Sequence, residues 1–332
     1  MDVDRTITAE LSKADRLRED SSQVIGMMKV KPAMDWSREA LERPNPKPLW
    51  LSLWNEGEAC VLFADTNLGK SILAVQIAEH IARDKGERVL YYDFELSDKQ
   101  FQIRYTDGFG HPYQFSPNLY RAEIDATAMM AENFEDAIVN DIEECAHNLD
   151  AKIIIIDNLT FLCTAAEKGD LAGALMLRLV QMKKSQGLSI LVLAHTPKRN
   201  LSNPITQNDL AGSKKLINFF DSGFAIGKSA KDSKLRYIKQ IKCRNGEFEY
   251  DADNVIVCQI EKRDCFLQFV TLEHASEAEH LKQQSIEDLK ARESKVKEMA
   301  ASGKSQRQIA SELGISVSSV NRYLHKGEHN DG

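Results

Sequence analysis

The chain has 332 residues, of which 42% are hydrophobic and 28% are charged, and its formal net charge is −7. Its 17 glycines and 8 prolines fall below average usage, which excludes collagen-like and low-complexity classes. This length allows one large domain with appendages, or two domains, and is ample for a buried core. The negative charge argues against a protein that coats nucleic acid over its whole surface, but it is compatible with a local basic face.

Cysteine usage and hydropathy predict a cytoplasmic protein that does not enter a membrane. The 6 cysteines form neither a C-x-x-C pair nor a cluster with histidine at zinc spacing, so we expect reduced thiols. The acidic start of the sequence lacks the apolar core of a signal peptide. The apolar run at 153–156 is far shorter than the roughly 20 residues that span a bilayer.

Changes in composition predict four segments. Residues 1–47 are polar and weakly periodic, and they predict an N-terminal arm or interaction segment rather than a domain. A large domain is expected at 48–273. A charged linker helix is expected at 274–294, and a small helical domain at 295–326.

From residue 58 onward, apolar runs of strand length alternate with segments of helical periodicity. Strands are predicted at 58–64, 88–94, 152–157 and 189–194, and helices at 71–82, 127–148 and 169–186. Continuously apolar strands that alternate with helices are typical of an α/β fold with a mainly parallel sheet, buried on both faces. From about 234 to 272 the pattern predicts β-hairpins, with a turn at Arg244-Asn245-Gly246.

The segment between the first strand and the first helix has the pattern and the context of a phosphate-binding P-loop. It reads Ala64-Asp65-Thr66-Asn67-Leu68-Gly69-Lys70-Ser71. Successive backbone N–H groups and the helix N-terminus would surround phosphate oxygens. Lys70 would reach the β- and γ-phosphates, and the Ser71 hydroxyl would ligate Mg²⁺. Ala64 stands where the usual pattern has glycine, so the loop entry lacks a residue free to adopt positive φ. The alternative is a chance Gly-Lys-Ser before a helix.

Two carboxylates follow predicted strands. Asp157 ends the strand at 152–157 and would hold Mg²⁺ directly or through water; alternatively it caps the next loop. Glu95 follows the strand at 88–94, near the carboxyl edge where phosphates bind in parallel sheets. It is a candidate base for an attacking water, with Asp93 as its nearest rival, and a helix N-cap or surface carboxylate is the alternative interpretation.

These motifs resemble RecA-fold ATPases, in the branch that holds plasmid RepA-type and DnaB-type hexameric replicative helicases. The motifs are the P-loop T-N-L-G-K-S, F-E-L-S at 94–97, I-I-I-I-D-N at 153–158, the segment 195–198, the stretch 208–221 and Lys-Cys-Arg-Asn-Gly at 242–246. The resemblance covers about residues 48–272. The chain departs from the branch at Ala64, and no recognisable DnaB-type N-terminal helical domain precedes the ATPase segment.

The resemblance implies ATP and Mg²⁺ as cofactors, Glu95 as the catalytic base and His195 as a sensor of the γ-phosphate. It also implies that Lys242 and Arg244 are finger residues inserted into a neighbouring subunit's ATP site, which requires a homo-oligomer such as a hexamer. A positioned arginine stabilises the charge that phosphoryl transfer spreads over the equatorial oxygens. The alternatives are a solvent-exposed hairpin arginine and a histidine that is only hydrogen-bonded at a strand end.

Two segments predict contacts with DNA. The segment 198–246 is strongly basic, which suggests an anion-binding surface. The resemblance implies that its loops face a central ring channel, where four residues are candidates for contacts with single-stranded DNA: Lys198, Arg199, Lys214 and Lys215. The C-terminal segment has the spacing of a helix-turn-helix and resembles the one in resolvases, with Gly314 at the turn and Ser316 as a cap. Six apolar positions are expected to form its core: Ile309, Ala310, Leu313, Ile315, Val320 and Leu324. Its second helix would present four residues to the duplex major groove: Ser318, Ser319, Asn321 and Arg322. The alternatives are a solvated loop and a trihelical protein-interaction module.

Two functions follow as hypotheses. The first is an ATP-hydrolysing, DNA-binding protein of RepA/DnaB type that acts in replication or mobilisation of a plasmid or mobile element, with helicase activity as one form. The second is an ATP-switched, sequence-specific DNA-binding regulator or partition-type factor with little motor activity. A P-loop kinase of small molecules fits the basic segment and the C-terminal unit less well.

Overall fold

The computed structural model describes residues 23–125, 127, 134–159, 171–197, 199–211, 216–283, 286–313, 315 and 317–325. The chain divides into two compact units, one that ends at Lys47 and one that begins at Pro48. In the first unit, β1 (Gln23–Ile25) and β2 (Met28–Val30) form an antiparallel hairpin that is followed by helix α1 (Ala33–Leu41). This segment therefore has more regular structure than the predicted arm.

The second unit alternates strands and helices as the sequence predicts. Its strands are β3 (Pro48–Trp50), β4 (Trp54–Asn55), β5 (Ala59–Ala64), β6 (Val89–Asp93), β7 (Leu119–Ala122), β8 (Ile153–Asp157), β9 (Ser189–His195), β10 (Ser222–Lys228), β11 (Leu235–Cys243), β12 (Val255–Arg263) and β13 (Phe266–Ala275). Its helices are α2 (Lys70–Asp84), α3 (Asp98–Arg104), α4 (Phe134–Asn148), α5 (Leu171–Gln186), α6 (Ile286–Ala301), α7 (Gln306–Leu313) and α8 (Val317–His325).

A 9-stranded sheet organises this unit, in the order β13-β12-β11-β10-β5-β9-β8-β6-β7. The strands from β10 to β7 in that order run parallel to one another, and β10 to β13 form an antiparallel meander at the other end. The central strands are buried along their whole length, because apolar side chains cover both faces of the sheet. The predicted α/β class with a mainly parallel sheet is thus confirmed.

Two features of the meander differ from the prediction. Asn245 and Gly246 do not form a tight hairpin turn; they begin the longer connection between β11 and β12. The two-residue turn lies instead at Asp264-Cys265 between β12 and β13, where Asp264 adopts a φ of 54°. Strand β10 has no counterpart among the predicted strands, because its two glycines lower its strand propensity.

The chain beyond the sheet is anchored to it. A short 3-10 helix at Glu277–His280 follows β13, and the side chains of both residues are buried. The Lys282 N–H then donates to the Leu201 carbonyl in the loop after β9. The boundary predicted at residue 273 therefore falls inside β13, and the one predicted at 294 falls inside α6. Within the described ranges, no helix is both long and apolar enough to cross a bilayer.

Candidate nucleotide-binding site

The carboxyl ends of four parallel strands bring the predicted site residues together. The P-loop follows β5, Glu95 follows β6, Asp157 ends β8, and His195 ends β9. Because parallel strands end at the same edge of a sheet, residues far apart in sequence meet there. A cavity of about 240 Å³ lies at this edge and is lined by P-loop residues together with Glu95, Arg104 and His195.

Two positive φ angles shape the P-loop. Asn67 has a φ of 62° and Gly69 a φ of 96°, and Gly69 immediately precedes α2. The positive φ favours glycine at this position, and a Cβ atom there would also lie 2.6 Å from Cδ1 of Ile260 and 3.0 Å from the Phe269 ring, which would have to shift. Ala64, in contrast, is a paired strand residue of β5 next to His195 of β9. The alanine at the loop entry therefore takes an ordinary extended conformation. A residue free to adopt positive φ is not needed at this position.

Lys70 extends back over the loop that precedes it. Its Nζ donates to the Ala64 carbonyl at 3.0 Å and lies 3.1 Å from His195 Nδ1. Burial lowers the pKa of Lys70, and the charges of Asp157, Glu95 and Asp65 oppose that shift. The ammonium group thus lies at the cavity wall, where anionic ligands would stabilise its charge.

Asp157 has the environment of a cation ligand. Its side chain is buried, and the Tyr91 hydroxyl donates to Oδ2 at 2.6 Å. Its other oxygen, Oδ1, has no hydrogen-bond partner among the described residues. Burial raises the pKa of Asp157 to about 6, although hydrogen bonds from Ser71 and Tyr91 lower it. A buried carboxylate oxygen without a partner, next to a serine hydroxyl, fits the hard oxygen ligands that Mg²⁺ prefers.

The geometry favours Glu95 over Asp93 as a base. Asp93 is buried and fully engaged, because its carboxylate pairs with Arg121 at 3.1 Å and accepts from the Leu96 N–H at 2.9 Å. The Glu95 side chain is 42% exposed, and Oε1 lies 3.5 Å from His195 Nε2. Asn158 Nδ2 donates to the same oxygen.

Three residues around this site were not predicted from the sequence. Asn158 lies within hydrogen-bonding distance of both Glu95 and His195, Tyr91 hydrogen-bonds Asp157, and Arg104 of α3 lines the cavity. Asn158 directly follows Asp157 in the motif at 153–158, so its position was visible in the sequence. Its partners were not, because Glu95 follows β6 and His195 ends β9, both far from Asn158 in sequence.

The predicted finger residues lie at the opposite edge of the sheet from the P-loop. Lys242 Nζ donates to the Ile217 carbonyl at 2.8 Å, and Arg244 pairs with Asp221 at 2.8 Å. Asp221 Oδ2 accepts from the N–H of Ala59, the first residue of β5. The length of β5, about 20 Å for a strand of this size, therefore separates these cations from the P-loop of their own chain. Neither contributes to the cavity described above.

The cations of the basic segment that the structure describes lie in different environments. Lys198, Lys214 and Lys215 lie outside the described residues. The Arg199 side chain is only 7% exposed, and it donates to the Asn203 carbonyl, so this conformation does not present it as a channel contact. Lys239 is buried in an ion pair with Glu277.

The three C-terminal helices pack around a small core of their own. Val296, Ile309, Val320 and Tyr323 are buried there, and Leu313, Ile315 and Leu324 pack against them. All six predicted core positions are included, whereas Val296 and Tyr323 were not expected. On α8, Ser318, Asn321 and Arg322 are exposed and Ser319 is half-buried. Gly314 and Ser316, predicted as turn and cap, lie outside the described residues.

Comparisons with known proteins give matches to two separate segments of the chain. The family model described as AAA domain matches residues 28–200, and the model described as sigma-70, region 4 matches residues 283–328. Among solved structures, a KaiC-like protein from the hyperthermophilic archaeon Pyrococcus horikoshii is 13% identical, with a TM-score of 0.49. That match covers 65% of this chain and 91% of the other. The comparison with curated proteins gives no significant match.

Proposed function

Since the chain belongs to the AAA domain family, we propose that it is a DNA-binding ATPase that hydrolyses ATP at the carboxyl edge of its parallel sheet. The observation that carries this proposal is the convergence of Lys70, Glu95 and His195 on one cavity, with Asp157 buried next to Ser71 in the cavity wall. These residues come from four different elements. Chance alone would not be expected to bring four such side chains together at one edge of an α/β sheet. The orphaned Oδ1 of Asp157 supports a cation at the same place.

Each residue has a role that follows from its position. The main-chain N–H groups of the P-loop and the start of α2 bind the phosphates. Lys70 leaves the Ala64 carbonyl for a phosphate oxygen. Ser71 and Asp157 would hold Mg²⁺, which when bound neutralises charge on the β- and γ-phosphates. Glu95 accepts a proton from the attacking water, and Asn158 orients its carboxylate.

His195 links the P-loop to the base. Its Nδ1 faces Lys70 and its Nε2 faces Glu95, so the imidazole contacts both the phosphate-binding cation and the proton acceptor. If Lys70 moves when phosphate binds, the His195 imidazole, which contacts both residues, would transmit that movement to Glu95. This arrangement supports the role of His195 as a γ-phosphate sensor.

We assign Lys242 and Arg244 to the ATP site of a second copy. Their position at the far edge of the sheet excludes contact with the P-loop of their own chain in this conformation. A ring in which the far edge of one copy faces the P-loop of the next would use them as fingers, and a hexamer is the form that the RepA/DnaB resemblance implies. Among the described residues of one chain, Lys242 contacts the Ile217 carbonyl and Arg244 contacts Asp221.

The C-terminal helices are proposed to bind duplex DNA through α8. The similarity of residues 283–328 to sigma-70 region 4 supports this, as does the exposed row of Ser318, Asn321 and Arg322. Lys198, Arg199, Lys214 and Lys215 remain proposals for single-stranded DNA. Replication or mobilisation of a plasmid or mobile element is the process that the resemblance implies.

An ATP-switched, sequence-specific regulator is the second candidate. Ser318, Asn321 and Arg322 lie on a helix that packs in a separate helical core, as a DNA-reading unit would. In that case hydrolysis would be slow and unaffected by single-stranded DNA. Footprinting on duplex DNA and unwinding of a forked duplex, measured on the same preparation, distinguish the regulator from the motor.

The central test is ATP hydrolysis by the full chain with and without single-stranded DNA. Lys70→Ala should abolish turnover, while Lys85→Ala, a matched exposed lysine just after α2, should not. Glu95→Gln should leave ATP bound but uncleaved, with Glu87→Gln as its exposed control. Normal hydrolysis by Lys70→Ala would refute the proposed site.

The finger assignment has a separate test. Arg244→Ala alone should lose hydrolysis, and mixing it with Lys70→Ala should restore part of the activity at interfaces that combine the intact halves. Native mass spectrometry with a non-hydrolysable ATP analogue and DNA gives the number of subunits. Wild-type hydrolysis by Arg244→Ala, or a stable monomer under these conditions, would contradict the role in trans.

A further inference from the structure

A second cavity, which we call the basic cavity, lies at the same edge of the sheet on another side of the P-loop. Its volume is about 420 Å³, within the range of small-molecule sites. Its walls are the P-loop residues Asp65–Leu68, the loop after β9 and the β10–β11 connection. Of its lining residues, the roles proposed above involve only those of the P-loop and Arg199.

Among the charged residues of the lining, cations outnumber carboxylates. Arg199, Lys228 and Arg236 contribute positive side chains from three different places in the chain, and Asp65 is the carboxylate among the lining residues. The Asp65 carboxylate accepts the Thr66 N–H at 2.8 Å. Lys228 is exposed and Arg236 is half-buried, so a solute can reach the positive charge.

Several polar atoms of this lining lack partners. Within the described part of the chain, Thr196 Oγ1, Arg199 Nε and Arg236 Nε are buried and make no hydrogen bond. Arg199 Nε lies 3.9 Å from Asp209 Oδ1, which is beyond hydrogen-bonding distance. Buried donors are normally satisfied, and leaving several unsatisfied around one cavity is costly unless a ligand provides acceptors.

The arrangement suits a phosphate. Guanidinium groups match phosphate oxygens in geometry and charge, and hydroxyl groups such as those of Thr196 and Ser233 complete the shell. The basic cavity also adjoins the nucleotide site, because Thr66 and Asn67 line both spaces. Thr196 directly follows His195, which contacts Lys70.

We propose that the basic cavity is a second phosphate-binding site, distinct from the P-loop, which takes a phosphate dianion through Arg199, Lys228 and Arg236. Two sources have this chemistry: inorganic phosphate released by hydrolysis at the adjoining nucleotide site, and a phosphate of a DNA backbone. The site is independent of which function of the chain is correct, because it requires only an anion of this class.

The first arm of the test measures inorganic phosphate. The full chain is saturated with a non-hydrolysable ATP analogue and Mg²⁺, so that the P-loop is filled, and radiolabelled phosphate is titrated by equilibrium dialysis. Arg236→Gln should weaken phosphate binding about tenfold or more. Lys234→Gln is the matched control, because Lys234 is an exposed cation of the same β10–β11 connection that does not line the cavity.

The second arm measures single-stranded DNA affinity of the same variants at several salt concentrations. If the source is a DNA phosphate, Arg236→Gln should weaken binding and lower the salt slope by about 1, whereas Lys234→Gln should not. Selective loss in either arm supports the site and identifies the source. If Arg236→Gln behaves as wild type in both arms, the proposal is wrong.

Two controls separate this result from other failures. Unchanged binding of the ATP analogue by Arg236→Gln shows that the domain of this variant is folded. If that variant does not fold, Lys228→Gln is tested in its place. Should the wild-type chain fail to bind the analogue, the proposed ATPase function fails instead. The phosphate titration is then repeated without nucleotide in Lys70→Ala, with and without Arg236→Gln.

Discussion

Replacing Glu277 with glutamine should destabilise the domain far more than its place in a short helix near the surface suggests. The Glu277 side chain is 1% exposed and holds three groups. Its carboxylate accepts from Lys239 Nζ at 2.5 Å, from the Ile205 N–H at 2.8 Å and from the Tyr237 hydroxyl at 3.1 Å. The residue thereby joins β11, the loop after β9 and the chain that leads to the C-terminal helices.

The size of the effect follows from the charge left behind. Glutamine keeps the shape and one acceptor, but it places an amide where the carboxylate neutralised Lys239. Breaking a buried pair by removing one partner costs about 3–5 kcal/mol, and the retained Ile205 carbonyl contact of Lys239 favours the lower end, about 3 kcal/mol. For a domain of this size, that corresponds to a fall in Tm of roughly 6–12 °C.

Urea denaturation followed by tryptophan fluorescence is a suitable assay, because Trp54 is fully buried in this domain and the segment after β13 contains no tryptophan. Glu279→Gln is the matched control, since Glu279 lies two residues away in the same helix and pairs with Lys231 in an exposed ion pair. It should leave the midpoint unchanged, because exposed pairs contribute little.

Equal midpoints for Glu277→Gln and Glu279→Gln would refute this reasoning. A double variant sharpens the test: Glu277→Leu with Lys239→Met removes both charges together. Replacing both members of a buried pair with apolar residues is often neutral, so most of the lost stability should return. If the double variant is as unstable as the single one, the backbone contact of Glu277 with Ile205, rather than the ion pair, carries the effect.

Three further predictions address the P-loop, the far edge of the sheet and the C-terminal helices. Gly69→Ala should abolish binding of a fluorescent ATP analogue, because its Cβ would meet Ile260 at 2.6 Å in a left-handed conformation; Gly108→Ala, in open space, should bind normally. Burial raises the pKa of Asp221, but the Lys183 hydrogen bond and the Ala59 N–H outweigh burial and hold it below 3.8. Its stabilisation is therefore present above about pH 3.8 and is lost below it, so the denaturation midpoints of wild type and Asp221→Asn should converge as the pH falls through that region. Val320→Ala should destabilise the small C-terminal core by about 2 kcal/mol and weaken duplex binding in a gel-shift assay while ATP hydrolysis persists.

These three predictions fail in different ways. Nucleotide binding by Gly69→Ala would mean that the P-loop tolerates another backbone path. A gap between wild type and Asp221→Asn that persists into acid would mean that the carboxylate charge is not what Lys183 recognises. Loss of ATP hydrolysis in Val320→Ala would mean that the C-terminal helices and the sheet do not fold independently.

Local sequence was sufficient for the parts of this fold that depend on neighbouring residues. Apolar runs such as 153–156 predict buried strands wherever they lie, and the order strand, Gly-Lys-Ser, helix predicts the P-loop without knowledge of its surroundings. The core of the C-terminal helices was predicted for the same reason, because helical spacing places Ile309 and Val320 on buried faces.

Strand β10 shows where this approach failed. Gly223 and Gly227 make the segment look like a loop, yet both glycines are required by packing. A Cβ on Gly227 would lie 2.1 Å from the Tyr237 ring, and one on Gly223 would lie 2.9 Å from Val61. The side chains that require these glycines are Tyr237 of β11 and Val61 of β5, which lie on other strands. Strand propensity alone therefore failed to predict β10.

The sequence by itself determined the chemical groups available: a lysine and a serine at a helix start, and acids and a histidine at strand ends. Only the tertiary structure decided which of them are in contact. Asn158 hydrogen-bonds Glu95, Tyr91 hydrogen-bonds Asp157, and Glu277 pairs with Lys239, each across a long stretch of chain. The physical reason is that periodicity records which side of an element is buried. The choice of partner depends on strand order and register, which pairing across the whole sheet decides.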